Sequence, residues 1–233
     1  MSSESARRFP WVLTVLSAIA LVVLLGLGAW QTQRLQWKQD LIARAEAAAD
    51  APPAPLEEVL DAPSPEFRRV TANCPGLGAA PYVELQSLVD GEAGVRLISA
   101  CVLPEHGVAV LVDRGFVADE ISARPPTMQS AEPTRVTGVL RRTPPPSSFT
   151  PPPQQGRFYG RDAAAMAAAL GLDTAPVWTL FAESSTNPEW GALRPSVPPP
   201  AFANNHLGYA ITWFGLAAAL IAVYVALVRK RMR

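Results

Sequence analysis

The residue best suited to bind a ligand is His206, which stands at the start of an apolar segment near the end of the chain. Asn204 and Asn205 precede it, and either amide can cap a helix that begins there. The helix dipole disfavours a positive charge at that end, so the imidazole is expected to be neutral and able to coordinate iron. Tyr209 and Trp213 follow on the same helical face, where a flat macrocycle can stack. Spacing alone favours a simpler interpretation, a belt of amphipathic side chains at a membrane surface.

A second cluster of suitable side chains lies near the start of the chain. Trp30, Arg34 and Trp37 share a helical face, with Gln31 and Lys38 beside them. The Arg34 guanidinium can pair with a propionate or phosphate and can stack on the tryptophan rings. An alternative stays open, in which Arg34 and Lys38 only extend towards a membrane surface to keep their charges in water.

Cys74 and Cys101 are the only cysteines. Each falls in a region predicted to form a strand, so a cross-strand disulfide and two separate buried thiols are both open, and we predict the disulfide. Their separation excludes a Cys-x-x-Cys redox motif and the close cysteine pair of a copper-delivery site. Because the whole chain has two histidines, a zinc site closed by four protein ligands is not expected.

Signals for an enzyme or for nucleic-acid binding are weak. His106 stands in a predicted turn, and the sequence has neither a Gly-x-Ser-x-Gly elbow nor a glycine-rich phosphate loop after a strand. Asp113 and Arg114 are open to two interpretations, a polar site or an ion pair at a strand end, and we expect the ion pair. The formal net charge is zero and no basic stripe is present, so nucleic-acid binding has no electrostatic support. The residues alone therefore favour neither a hydrolase nor a nucleic-acid-binding protein.

Two apolar segments predict an integral membrane protein. Residues 11–30 carry no charge over about 30 Å of helix, the thickness of a bilayer core, and residues 206–228 are similar. The first run exceeds the apolar core of a signal peptide and continues as a helix, which favours a permanent anchor. Basic residues follow the second span directly, whereas only Arg194 lies close before it, so the C-terminus is expected in the cytoplasm. An even number of spans puts the N-terminus there too.

This reasoning divides the chain into a cytoplasmic tail (1–10), a first transmembrane helix (11–30), an extracytoplasmic domain (31–205), a second transmembrane helix (206–228) and a basic cytoplasmic tail (229–233). The first helix is expected to continue to about Ala49. The fold class of the outer domain is α+β with antiparallel strands. Strands are predicted at residues 67–73, 94–103, 108–117, 134–141 and 177–182, a turn at 104–107, a short helix at 161–170 and a proline-rich linker at 198–200.

Several motifs resemble those of one known family. The segment Gly-Leu-Gly-Ala-Trp-Gln-Thr-Gln-Arg-Leu-Gln-Trp-Lys, residues 26–38, resembles the first-span signature of the Surfeit locus protein one family, also called Shy-type factors. The most specific motif runs from Asn204-Asn205-His206-Leu207 through Trp213-Phe214-Gly215-Leu216-Ala217. The others agree in order: Phe67-Arg68-Arg69-Val70-Thr71, Val112-Asp113-Arg114-Gly115-Phe116-Val117, Val136-Thr137-Gly138-Val139-Leu140-Arg141 and Arg161-Asp162. The resemblance covers residues 26–217, and the two-span arrangement is the family's own.

The resemblance implies a non-enzymatic assembly factor for haem-copper cytochrome c oxidase. Its cargo would be haem a, delivered to oxidase subunit I, and its further partners would be haem a synthase and the lipid bilayer. The histidine that matches His206 is the expected iron ligand, with the tryptophan that matches Trp30 nearby. By their spacing, Arg34, Tyr209 and Trp213 join the same expected site. The alternative is a membrane scaffold that stabilises oxidase assembly intermediates without binding haem.

The chain departs from the family pattern at both cysteines. Asn73-Cys74-Pro75 stands where relatives usually have a glycine, and Cys101 replaces a residue near the usual Thr-Pro-Leu. The short leader before Trp11 leaves no room for a mitochondrial transit peptide, so a bacterial cytoplasmic (inner) membrane is expected. In that membrane the chain would be multi-pass, with both termini cytoplasmic and the central domain in the periplasm.

Overall fold

The computed structural model describes residues 9–103, 106–196, 198 and 204–232. Of these, residues 9–44 and 204–232 form one compact unit, and the remainder, from Ala45 onward, forms the other. The elements in chain order are α1 (Trp11–Asp50), β1 (Ala54–Pro55), α2 (Leu56–Leu60), β2 (Arg69–Asn73), a 3₁₀ turn (Leu77–Ala79), β3 (Tyr82–Val89), β4 (Glu92–Leu103), β5 (Val108–Ala118), β6 (Arg135–Arg142), β7 (Arg157–Phe158), α3 (Ala163–Ala169), β8 (Trp178–Ala182) and α4 (His206–Met232).

The first unit is a pair of antiparallel helices, α1 as far as Arg44 and α4. Both are long and apolar enough to cross a membrane, with mean hydropathies of 2.6 and 2.3 over their most apolar windows. Near one end of the pair, the Thr14 and Tyr224 hydroxyls lie 2.9 Å apart. The continuation of α1 to Asp50 confirms the predicted helix to about Ala49. Most of the predicted N-terminal tail, residues 1–8, and the last residue of the basic tail lie outside the described residues.

The helices of the first unit approach closely at Gly28. A Cβ atom built on this glycine would lie 2.7 Å from the ring of Phe214, well inside van der Waals contact. Small residues permit such close approach between apolar helices, where dispersion contacts replace the hydrophobic driving force that acts in water. Gly28 therefore fixes the spacing of α1 and α4 at this level.

The second unit is built on a single mixed sheet of eight strands. Their order is β1-β2-β6-β8-β5-β4-β3-β7, with two-residue strands at both edges. The five predicted strands all form, within two residues of the expected limits. Most pairs are antiparallel, as expected, but β1–β2, β3–β7 and β5–β8 are parallel. The predicted turn between β4 and β5 is confirmed by the pairing of Leu103 with Val108, although Pro104 and Glu105 lie outside the described residues. Pro199 and Pro200 of the predicted linker also lie outside the described residues.

The central strand β5 is buried on both faces. Val110 and Val112 join a core cluster that includes Leu56 of α2, whereas Leu111 packs in a second cluster with Met166 of α3. This pattern follows from the two-residue period of a strand, which sends alternate side chains to opposite faces. Helices cover both faces, so the first half of β5, Val108–Val112, is continuously apolar rather than alternating.

Cys74 and Cys101 form a disulfide, which confirms the prediction. It joins the end of β2 to β4, and three strands lie between these two in the sheet. Four spacings of about 4.8 Å would separate their positions by roughly 19 Å in a flat sheet. The Cα atoms are only 5.3 Å apart. The sheet therefore curves strongly around the first core cluster, and the disulfide closes that curve.

Candidate functional site

The structure places His206 at the first position of α4, opposite α1. Its Nδ1 atom lies 2.6 Å from Oε1 of Gln31, and Gln31 is only 8% exposed. An amide oxygen can only accept, so Nδ1 carries the proton in this hydrogen bond. In the neutral ring the lone pair is then on Nε2. The contact with Gln31 thus selects the tautomer and orientation in which Nε2 can bind a metal.

The asparagines before His206 begin the helix as expected. The side-chain oxygen of Asn204 lies 3.5 Å from the backbone nitrogen of His206, a long capping contact. The backbone carbonyl of Asn205 accepts from the nitrogen of Tyr209 and starts the helical hydrogen-bond series. Both contacts position the imidazole at the positive end of the α4 dipole.

The aromatic residues that follow His206 offer apolar surface on α4. Tyr209 is 56% exposed and Trp213 is half-buried. Both lie on the helical face of the histidine by their spacing. The rings can therefore contact a flat apolar ligand, or lipid, beside the imidazole.

On α1, Trp30 is 53% exposed and directly precedes Gln31. Arg34 follows Gln31 by about one helical turn, and its guanidinium carbon lies 3.9 Å from the centre of the Trp37 ring. Stacking holds this cation without neutralising it, so Arg34 can still pair with an anionic group. The structure thus brings Gln31 to His206 and locates Trp30 and Arg34 within one turn of Gln31 on α1.

Gln31 is the member of this group that the sequence analysis left without a role. It stands beside the tryptophan and arginine in the sequence, but a glutamine in an apolar helix has many uses. The signal that identifies it is the register of two antiparallel helices, in which Gln31 lies opposite His206 and Gly28 lies opposite Phe214.

The described residues contain no group of three or more His, Cys, Asp or Glu side chains that could hold a metal ion. His206 therefore offers a single protein nitrogen. A single imidazole suits a macrocyclic metal complex, which brings its own equatorial ligands, better than it suits a bare ion.

The predicted ion pair between Asp113 and Arg114 does not form. The Asp113 carboxylate, fully buried, is instead paired with Arg96 at 3.4 Å and with Arg161. The cause is a β-bulge, because Leu97 pairs with Gly115 and Ile98 with Asp113, which leaves Arg114 as the extra residue of β5. Gly115 adopts φ 137°, and a Cβ there would lie 2.1 Å from the carbonyl oxygen of Arg194.

Arg114 is fully buried and bonded to neutral acceptors. Its guanidinium donates to the carbonyls of Gly78 and Ala80 and to the side chains of Ser99, Thr186 and Asn187. Burial lowers the pKa of Arg114 to about 10, because desolvation penalises the charged form. The residue joins the 3₁₀ turn to the segment after β8, which is a structural role.

Comparison with known proteins identifies relatives over almost the whole chain. The sequence model of the family described as "SURF1 family" matches residues 18–218, a stretch that contains Gly28, Gln31 and His206. The chain is 32% identical over 241 residues to Surfeit locus protein 1 of Homo sapiens, covering 93% of this chain and 74% of the human protein. It is 32% identical over 226 residues to the SURF1-like protein of Monosiga brevicollis, covering 90% and 85%. It is 30% identical over 238 residues to Surfeit locus protein 1 of Mus musculus, and the match covers 93% of this chain and 74% of the mouse protein.

Proposed function

The chain belongs to the SURF1 family, and on that premise we propose that it is a non-enzymatic assembly factor for a haem-copper cytochrome c oxidase. It binds haem a and aids the insertion of this cargo into oxidase subunit I. The family resemblance carries the link to oxidase assembly. The geometry of His206 carries the link to haem.

The single observation behind the haem proposal is the hydrogen bond from His206 to Gln31. It orients the ring and leaves Nε2 with its lone pair, as metal-binding histidines require. An iron ligand at the end of an apolar helix also suits the cargo, because haem a has a farnesyl tail that needs lipid and propionates that need water or a cation. The same helix end offers both environments.

The neighbouring residues have complementary roles in this proposal. Trp30, Tyr209 and Trp213 provide ring surface for the macrocycle, and Arg34 pairs with a propionate. Arg34 is suited to this because its stacking on Trp37 limits its conformers, which reduces the entropy lost when a carboxylate binds.

We further propose that α1 and α4 span a bacterial inner membrane, with both termini in the cytoplasm and the sheet domain in the periplasm. The disulfide between Cys74 and Cys101 supports this side for the sheet domain, because disulfides persist in oxidising compartments and are rare in the cytosol. Oxidase subunit I and haem a synthase are the proposed partners within the bilayer.

The test is the absorbance spectrum of the full chain, purified in detergent from cells that make haem a. The wild type is expected to carry a low-energy haem a band, and His206→Ala is expected to lose it while still inserting into the membrane. His106→Ala is the matched control, because it removes the other histidine of the chain, which lies in the turn between β4 and β5.

Two results would contradict the haem proposal. Equal haem occupancy in wild type and His206→Ala would eliminate His206 as the ligand. A wild type that purifies without pigment but together with oxidase subunit I would favour the alternative, a scaffold that stabilises assembly intermediates without binding haem.

A further inference from the structure

The sheet domain contains a basic cavity between the end of β6, β8 and the residue pair before α3. Its volume is about 320 Å³, at the lower end of the roughly 300–1,000 Å³ typical of small-molecule sites. The polar side chains that line it are those of Glu66, Arg141, Arg142, Thr143, Arg161 and Thr179. We propose that this cavity binds the phosphate group of a small ligand, a function separate from haem binding.

Charge is the first argument for a phosphate. The lining has three guanidinium groups and one carboxylate, which leaves an excess of two positive charges. Asp113 pairs with both Arg161 and Arg96. Counting Asp113 and Arg96 as well adds one charge of each sign, so the excess stays at two. A phosphate monoester carries up to two negative charges at neutral pH, so it matches the cavity.

The second argument is that one donor of Arg161 has no hydrogen-bond partner among the described residues. Its Nη2 atom pairs with the buried Asp113 carboxylate, whereas Nη1 is buried and has no hydrogen-bond partner among the described residues. The guanidinium carbon also lies 4.7 Å from the centre of the Phe181 ring, which forms part of the cavity lining. Asp113 and Phe181 thus hold the guanidinium in place, and an oxyanion in the cavity would satisfy the remaining donor.

Arg142 and the two threonines supply further donors. The guanidinium of Arg142 stacks at 4.8 Å on Trp178, which limits its freedom while leaving its donors available. The hydroxyls of Thr143 and Thr179 lie 2.8 Å apart, and one donates to the other. The hydroxyl that accepts keeps its own proton for another acceptor.

Glu66 shows that an oxyanion fits this cavity. One carboxylate oxygen accepts from the backbone nitrogen of Arg142 at 3.3 Å and lies 3.8 Å from Nε of Arg141. Burial lowers the pKa of Arg141, and the nearby Glu66 charge partly offsets this. Because the Glu66 side chain is 36% exposed, it can move aside for a stronger anion. The Glu66 carboxylate therefore competes with a bound phosphate group for the donors of this cavity.

The experiment uses the full chain in detergent, titrated with potassium phosphate while potassium chloride keeps the ionic strength constant. Wild type is expected to bind phosphate saturably by calorimetry. Arg142→Gln is expected to weaken binding by about tenfold or more, since it removes a charge-assisted hydrogen bond from an exposed residue without disturbing the core. Glu66→Gln is expected to tighten binding, because the competing carboxylate is removed. Arg135→Gln, at the other end of β6, is the control.

A wild type that shows no phosphate-specific binding would overturn the proposal. So would Arg142→Gln and Glu66→Gln variants that bind as wild type does, because the ion would then be held elsewhere. A second titration with short-chain phosphatidic acid identifies the source of the phosphate group. If phosphatidic acid competes with phosphate in the wild type and this competition is lost in Arg142→Gln, the phosphate group belongs to a lipid headgroup. If phosphatidic acid does not compete, the ligand is a soluble phosphorylated molecule.

Discussion

Nδ1 of His206 lies 2.6 Å from Oε1 of Gln31, although 175 positions separate the two residues in the chain. The hydrogen bond joins the start of α4 to α1. It fixes the tautomer of the imidazole and the register of the helix pair together, so that one contact links the fold of this unit to its proposed ligand chemistry.

Replacing Gln31 by leucine removes the acceptor for Nδ1. The imidazole then loses its fixed orientation, and we expect haem affinity to fall by about 10–100-fold, the usual cost of losing a partner that orients a metal-binding histidine. Haem titration of the purified variant measures this. Gln31→Glu should retain most of the affinity because it keeps an acceptor, and Gln36→Leu, at an exposed position of α1, is the control. Full affinity in Gln31→Leu would show that the contact has no part in binding.

The sequence predicted His206 but not its partner, for a physical reason. The position of a histidine at the start of an apolar helix is a local signal, whereas the pairing with Gln31 depends on how two distant helices align. The same limit applies to Asp113 and Arg161, which meet only because β5 and the segment before α3 come together in the sheet domain. Local reasoning instead paired Asp113 with its neighbour Arg114, which the bulge in β5 prevents.

The strands that the sequence predicts contain β-branched and aliphatic residues, in a continuous run at the start of β5 and in partial alternation in β6. Strand β3 was missed because Glu84, Gln86 and Ser87 interrupt its apolar residues. A signal for it exists in the sequence. Asp90 and Gly91 have φ values of 52° and 83° and form the two-residue turn that joins β3 to β4, a connection for which Asp-Gly is a preferred sequence.

An isoleucine at position 28 should separate the two helices. Its side chain would overlap the Phe214 ring, so α1 and α4 must move apart and the contact between Gln31 and His206 should weaken. Disulfide cross-linking between cysteines introduced by Thr14→Cys and Tyr224→Cys, whose native hydroxyls are 2.9 Å apart, reports the helix spacing. Gly26→Ile is the matched control, because a Cβ built there meets no described atom within 4 Å apart from its chain neighbours and the local backbone of α1. Equal cross-linking in both variants would contradict the packing role of Gly28.

The proposed orientation in the membrane can be tested with a reporter enzyme that is active only outside the cytoplasm. Inserted near Pro152, in the segment between β6 and β7, it should be active, and fused after the C-terminus it should be inactive. The expectation rests on the basic residues after the second span. Equal activity at both positions would contradict a two-span arrangement with a cytoplasmic C-terminus.

The disulfide is expected to resist alkylation and to stabilise the sheet domain. Without reductant, neither Cys74 nor Cys101 should be labelled in the unfolded protein, and with reductant both should be. The bridge closes a loop with a sequence separation of 27 residues, for which loop entropy gives about 3.5 kcal/mol. Urea unfolding of a variant with both Cys74→Ala and Cys101→Ala should show a loss of this size. Labelling of both cysteines without reductant would show that they are free thiols.

Arg114 should stabilise the sheet domain and have no direct part in ligand binding. Arg114→Met keeps the length of the side chain but leaves the carbonyl of Ala80 without this donor, whereas Gly78 still accepts from Asn187. We expect the free energy of unfolding to fall by about 2–4 kcal/mol, measured by urea unfolding followed through tryptophan fluorescence. Arg114→Lys should recover only part of the lost free energy of unfolding, because one ammonium group cannot reach all the acceptors that surround the planar guanidinium group. The exposed Arg135→Met is the control. A loss of haem binding in Arg114→Met without any loss of stability would contradict the structural role.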